Sequence, residues 1–138
     1  MSHTLHGKCL CGEVTVTAAC DHAEFDACHC PTCRKWGGGP LLVIDCKTDA
    51  VWSGERHIGV FESSEWAERG FCKHCGTHLF YRLKQGGFLA LPLGLFDGVE
   101  HFTLQKEVFI DAKPEGYTFA GERKKLTGEE LFALFNPS

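Results

Sequence analysis

The sequence predicts a mainly β domain that is stabilised by bound metal and ends in one short helix. Three observations carry that expectation. Short apolar or alternating runs recur between breaks marked by glycine, proline or serine, which is the pattern of strands and turns. Seven of the nine cysteines fall in the close-spaced groups Cys9-Leu10-Cys11, Cys28-His29-Cys30-Pro31-Thr32-Cys33 and Cys72-Lys73-His74-Cys75, at spacings suited to metal ligands. Thr127-Gly128-Glu129-Glu130 is a capping-box pattern standing just before an apolar run with helical period.

Taken in order, Leu5 to Cys9 and Val14 to Thr17 read as two strands around a turn at Cys11-Gly12, where glycine allows the positive φ that a metal knuckle requires. Ala23 to Cys30 reads as a strand running into the central cysteine group. Pro31 suits the first position of a short helix from Thr32 to Trp36, which the triplet Gly37-Gly38-Gly39 stops. Leu41-Leu42-Val43-Ile44 is a compact apolar run and reads as a buried strand.

Val51 to Trp52, His57 to Phe61 and Trp66 to Phe71 follow as further strands. His78 to Leu83 and Phe88 to Leu93 form a pair joined at Gly86-Gly87, and Val108 to Ile110 is another strand. In the last segment Leu131, Leu134 and Phe135 share one helical face, which predicts a C-terminal helix packed on the sheet.

The 138 residues fit a single domain spanning 1–138, with no repeat, low-complexity segment or long linker. Apolar residues at 43% and charged residues at 23% are ordinary globular usage and argue against general disorder. A formal charge of −4 opposes a phosphate-binding surface, so nucleic acid is not an expected partner. No apolar run approaches the roughly 20 residues that cross a bilayer, and the first residues lack the apolar stretch of a secretory signal. The expected location is the cytoplasm, where thiols stay reduced and clustered cysteines signify metal or catalysis more often than disulfides. An odd cysteine count also excludes a fully paired framework within one chain.

Cys9, Cys11, Cys72 and Cys75 supply four thiols for one closed, structural site. Joining donors roughly sixty residues apart costs about 4 kcal/mol of loop closure, whereas structural zinc contributes roughly 10–16 kcal/mol in small peptides. Four thiolates also suit iron, so the spacing alone leaves the metal open between zinc and iron. A disulfide, or four unrelated buried cysteines, are the other readings.

Cys28, Cys30 and Cys33 make a second set with three donors and a fourth position to fill. Cys28 and Cys30 point the same way on a strand and Cys33 lies one helical turn further on. His29 should face the opposite side. Arg34 and Lys35 are placed to meet an anionic substrate, with Trp36 as a pocket wall. The competing reading is a closed site completed by His22, His57, His74 or His78. The glycine triplet lacks the context of a phosphate loop and reads as room for close backbone approach. Cys20 and Cys46 have no partner at metal spacing and read as small apolar fillers.

Several segments together resemble the glutathione-dependent formaldehyde-activating enzyme family, which also takes in centromere protein V. They are Gly7-Lys8-Cys9-Leu10-Cys11-Gly12, Cys28-His29-Cys30-Pro31-Thr32-Cys33-Arg34, Arg69-Gly70-Phe71-Cys72-Lys73-His74-Cys75-Gly76-Thr77-His78-Leu79, Leu93-Gly94-Leu95-Phe96-Asp97 and Ile110-Asp111-Ala112-Lys113-Pro114. The resemblance implies a β-tent of packed antiparallel sheets. It also implies two zinc ions, a structural one on Cys9, Cys11, Cys72 and Cys75 and a catalytic one on Cys28, Cys30 and Cys33; with only three thiolates and an open position, the second is expected to be the more labile.

The implied activity is that of a carbon–sulfur lyase, an S-(hydroxymethyl)glutathione synthase acting on glutathione and formaldehyde or a related thiol adduct. A non-catalytic zinc module binding a protein partner is the alternative. A weaker third reading, sulfoxide reduction, would need Cys20 or Cys46 as a reactive thiol.

Overall fold

The computed structural model describes residues 3–46 and 50–135. The chain runs β1 (His3–Lys8), β2 (Thr15–Cys20), β3 (Glu24–Cys28), α1 (Pro31–Gly37), β4 (Leu41–Asp45), β5 (Ala50–Ser53), β6 (Ile58–Phe61), β7 (Ala67–Cys72), β8 (His78–Leu83), β9 (Leu89–Pro92), β10 (Thr103–Val108), β11 (Lys124–Leu126) and α2 (Gly128–Phe135). Short 3-10 turns stand at Glu55–His57, Leu93–Leu95 and Ile110–Ala112. The mainly β expectation, with a short C-terminal helix, holds.

Two sheets share one core. The smaller has the order β1-β2-β5, the larger β11-β10-β3-β4-β9-β8-β7-β6. Strict alternation along β2 sends Val16, Ala18 and Cys20 inward. They pack in one apolar cluster with Leu5 and Val14 from the first sheet side and Ile44, Leu79, Phe80 and Leu91 from the second. Trp52 of β5 meets Phe80 of β8 edge to face at 5.7 Å between ring centroids. Cys20 and Cys46 are both buried in this cluster, as fillers would be.

Most pairings are antiparallel, but β10 lies parallel to both β3 and β11. The strand expected at Val108 to Ile110 is displaced: β10 covers Thr103–Val108, and Phe109 turns away with φ 57 before Ile110 enters a 3-10 turn. A left-handed phenylalanine ends a strand because the next residue can no longer follow the ladder. The expected strand from Ala23 to Cys30 stops at Cys28, since His29 and Cys30 leave the sheet to start α1.

The capping box is present in full. Thr127 N–H donates to Glu130 Oε1 at 2.8 Å and Glu130 N–H to Thr127 Oγ1 at 3.1 Å. The face of α2 differs from the expectation. Leu134 is 62% exposed, and Phe132 instead packs edge to face with Trp66 and Phe109. The side chain of Phe135 lies outside the described residues. No helix of the described residues is long and apolar enough to cross a membrane.

Candidate metal centres

Two tight turns build the first centre. After β1, Cys9 N–H donates to Val14 O and Gly12 N–H to Cys9 O. After β7, Cys72 N–H donates to Thr77 O and Gly76 N–H to Cys72 O. Gly12 and Gly76 have φ of 83° and 82°, a left-handed region that suits glycine and closes each turn around its sulfurs. The two turns are tied directly, because Leu10 N–H donates to Thr77 Oγ1 at 3.0 Å.

The sulfurs of Cys9, Cys11, Cys72 and Cys75 all lie within 4.8 Å of one another. Cys9 to Cys11 is 3.5 Å and Cys11 to Cys72 is 3.8 Å. A tetrahedral ion with metal–sulfur bonds of about 2.3 Å sets its sulfurs about 3.8 Å apart, so the four donors fit a metal of that kind. The Thr77 hydroxyl, 3.1 Å from Cys75 Sγ, together with the Thr77 backbone N–H, lowers the Cys75 thiol to about 5. Val14 N–H donates to the Cys9 sulfur at 3.3 Å. Donors aimed at sulfur favour the thiolate, the form that binds metal.

The second centre stands where β3 gives way to α1. Cys28 sits in the register between Val108 of β10 and Leu41 of β4. Cys30 caps the helix, its sulfur accepting from Cys33 N–H at 3.2 Å, and Pro31 occupies the first turn, where a missing N–H costs nothing. The three sulfurs of Cys28, Cys30 and Cys33 again lie within 4.8 Å of one another. No fourth Cys, His, Asp or Glu among the described residues joins them. None of His22, His57, His74 and His78 therefore completes the set.

Hydrogen bonds from the Cys28 and Cys33 thiols hold Cys30 far down, to about 2, and the Cys33 N–H and the Arg69 charge act in the same direction. The same sharing pushes Cys28 well above the ordinary thiol range. A set of sulfurs that already stabilises a thiolate, with three soft donors converging, fits a metal with a further coordination position.

His29 faces away from the sulfurs, as expected, and is fully buried at 0% exposure. Its Nε2 is 2.8 Å from Glu107 Oε1 and its Nδ1 is 2.9 Å from the Tyr117 hydroxyl. Glu107 also pairs with Arg123 Nη1 at 2.7 Å. Burial pushes the Glu107 carboxyl up, but Arg123 and His29 outweigh it and leave it below the ordinary value. An imidazole between an ionised carboxylate and a phenol is fixed in orientation, and this fixes the backbone between two ligands. Arg34 adds to this, because its Nε donates to His29 O at 2.9 Å.

Trp36 is half-buried and stacks on His78, with 3.7 Å between centroids and 9° between planes. Burial first, and then the Arg69 charge, lower His78, keeping its ring neutral near pH 7. Lys35 is exposed. The glycine triplet makes no close approach: a Cβ at Gly37, Gly38 or Gly39 would meet nothing within 4 Å. Gly38 instead ends the helix with φ 87, its N–H returning to Arg34 O.

Sequence reasoning singled out the seven cysteines and Arg34, Lys35 and Trp36, and weighed His78 only as a possible fourth ligand, whereas it stacks on Trp36 instead; it did not single out Arg69, Tyr81, Glu107, Tyr117 or Arg123 as parts of the site. For Arg69 the available signal was a charge on the strand face it shares with Ala67; Glu107 gave no such signal, because its neighbour Val108 points to the other side of the strand.

The description of the glutathione-dependent formaldehyde-activating enzyme family matches residues 4–112. An uncharacterised lyase of Schizosaccharomyces pombe is 35% identical over 126 residues, covering 91% of this chain and 92% of the relative. Proteins of Halomonas elongata and Phaeosphaeria nodorum that carry the family's name are 32% and 34% identical, over 55% and 57% of this chain. The chain spans 54% and 43% of their lengths. A solved Rhodobacter sphaeroides protein shares the fold at a TM-score of 0.58 and 17% identity, with 72% of this chain and 99% of that one covered. The family match runs through both cysteine centres, and this chain belongs to the glutathione-dependent formaldehyde-activating enzyme family.

Proposed function

We propose that residues 1–138 act as one zinc-dependent unit that joins a small thiol, such as glutathione, to formaldehyde, or handles a related thiol adduct, at Cys28, Cys30 and Cys33. The observation that supports this most is the convergence of three sulfurs with no fourth donor among the described residues, in a chain of this family. Cys9, Cys11, Cys72 and Cys75 are the proposed holders of a structural zinc. A zinc ion at the three-cysteine centre supplies Lewis acidity, which makes a thiol more acidic and a carbonyl more electrophilic.

The reaction balances without a further reagent. The thiol sulfur bonds to the aldehyde carbon, the carbonyl π pair moves to oxygen, and oxygen gains the proton that sulfur lost. The chain's own residues orient and enclose this. Trp36, stacked on neutral His78 and facing the Arg69 guanidinium that reaches Cys33, is the proposed pocket wall, and the exposed Lys35 and half-buried Arg34 are the proposed contacts for substrate carboxylates. His29, held by Glu107 and Tyr117, keeps the loop between Cys28 and Cys30 rigid.

Exchange NMR with glutathione and formaldehyde tests the reading. Adduct formation should be faster than the spontaneous reaction, and Cys33→Ser should abolish the gain. No acceleration by the zinc-loaded chain would sink it. A second reading, a zinc-dependent module for a protein partner, draws support from the exposed Phe61, Trp66 and Phe132. That module would bind its partner equally well as Cys33→Ser.

A further inference from the structure

We infer that Arg69 is a positioning residue that supplies the counter-charge of the three-cysteine centre, so that metal is retained there and an anionic sulfur ligand can enter as the fourth donor. The inference rests on reading that centre as a thiol site. It adds the chemical reason that a negatively charged sulfur, rather than a neutral ligand, is favoured.

Arg69 comes from β7, four strands from β3 in the sheet order, yet its Nη2 lies 3.5 Å from Cys33 Sγ. It is 3% exposed. Its Nε and Nη1 have no hydrogen-bond partner, and no carboxylate among the described residues forms an ion pair with it. The guanidinium is held over two rings, 5.0 Å from the Trp36 centroid and 4.9 Å from that of Tyr81, its direct partner across β7 and β8. Ring faces attract a cation but do not neutralise it.

A buried cation persists only when something negative lies close. The sulfurs of Cys28, Cys30 and Cys33 are the negative groups the site offers. Three thiolates around a divalent ion leave one net negative charge, and Arg69 brings the sum to zero. A thiolate entering a neutral centre is not repelled, whereas one entering a negative centre is, and the low dielectric of a buried site enlarges the difference. The four-cysteine centre has no such need, because Cys11 is exposed and water screens it.

Arg69→Met and Arg69→Lys in the full chain test this. The metal probe is cobalt(II), whose d–d bands report the coordination, and the fourth-ligand probes are 2-mercaptoethanol and imidazole, one anionic when bound and one neutral. Arg69→Met should keep the metal of the four-cysteine centre, bind the second metal at least tenfold more weakly, and bind the thiol at least tenfold more weakly, with imidazole changed less than twofold. Arg69→Lys should restore most of the thiol affinity.

Thiol and imidazole affinities both within twofold of the parent, or both lost together, would overturn the inference, the latter because damaged structure affects both alike. Should the methionine variant fail to fold, Arg69→Gln provides the neutral comparison with the same expected outcome. A parent chain that does not accelerate the glutathione–formaldehyde reaction would count against the proposed function alone, since the ratio of cobalt affinities still reads Arg69.

Discussion

Glu107→Gln tests the buried network that holds His29 between two proposed metal ligands. Glu107 is 2% exposed, and its two oxygens face His29 Nε2 at 2.8 Å and Arg123 Nη1 at 2.7 Å. Glutamine preserves the shape and one acceptor for His29, but it turns an NH2 group on the Arg123 guanidinium. Removing one partner of a buried pair costs roughly 3–5 kcal/mol. Arg123 keeps a backbone acceptor at Ala120 O, so the lower end, about 3 kcal/mol, applies.

In a domain of this size each kcal/mol moves the midpoint by roughly 3 °C, and the melting temperature should fall by about 10 °C. The assay is urea and thermal unfolding of the zinc-loaded chain, alongside Arg123→Met and the double variant. The double variant should be more stable than Glu107→Gln, because it leaves no lone charge. A loss under about 1 kcal/mol for Glu107→Gln, or a double variant less stable than it, refutes the coupling.

The sign of the pH dependence follows from the same contacts. Glu107 titrates below its ordinary value of 4.5 in the folded chain, so the unfolded chain takes up this proton first. The stabilisation is complete above the ordinary value and is lost as pH falls through the lower folded one. The difference in stability between parent and Glu107→Gln should shrink over that window.

Two further substitutions probe the frame. Cys72→Ser removes a fully buried donor of the four-cysteine centre; the structural zinc proposed there would contribute roughly 10–16 kcal/mol, which exceeds or matches the whole stability of a typical domain, about 5–15 kcal/mol, so this variant should lose cooperative unfolding in circular dichroism, and a cooperative transition at the parent's midpoint would contradict the clasp. Gly70→Ala brings a Cβ to 2.2 Å from the buried ring of Phe80; overpacking of this kind costs about 1–3 kcal/mol, and an unchanged urea midpoint would refute the close approach.

What was legible in the sequence was local. Ligand spacing announced both cysteine groups, Gly12 marked the turn of the first knuckle, and the capping box placed the start of α2. Period-two reasoning put His29 opposite Cys28 and Cys30. What stayed hidden was non-local. That β10 runs parallel beside β3, bringing Glu107 under His29, depends on a pairing between segments some eighty residues apart. Nothing in a lysine-glutamate-valine triplet announces such a partner. Arg69 was read as part of a motif, and its burial against Cys33 follows only once α1 crosses from β3 to the β7 and β8 strands. The misplaced face of α2 has the same origin, since Trp66 and Phe109 decide which side of the helix packs.

The two centres differ in where their donors come from, and this bears on their proposed roles. Cys9 and Cys11 follow β1 in the smaller sheet, while Cys72 and Cys75 end β7 in the larger. A metal there would tie the ends of strands from two sheets that also share one apolar core, so each donor would contribute to holding them together. Cys28, Cys30 and Cys33 come from one short stretch, so a metal there closes almost no chain and contributes little to folding. Its support is brought from a distance instead, by Glu107 of β10 through His29 and by Arg69 of β7 at Cys33. A centre whose donors are local but whose orientation and charge are set by rigid strands can change its fourth ligand without unfolding the protein. That freedom is what an exchanging thiol requires, and the clasp does not have it.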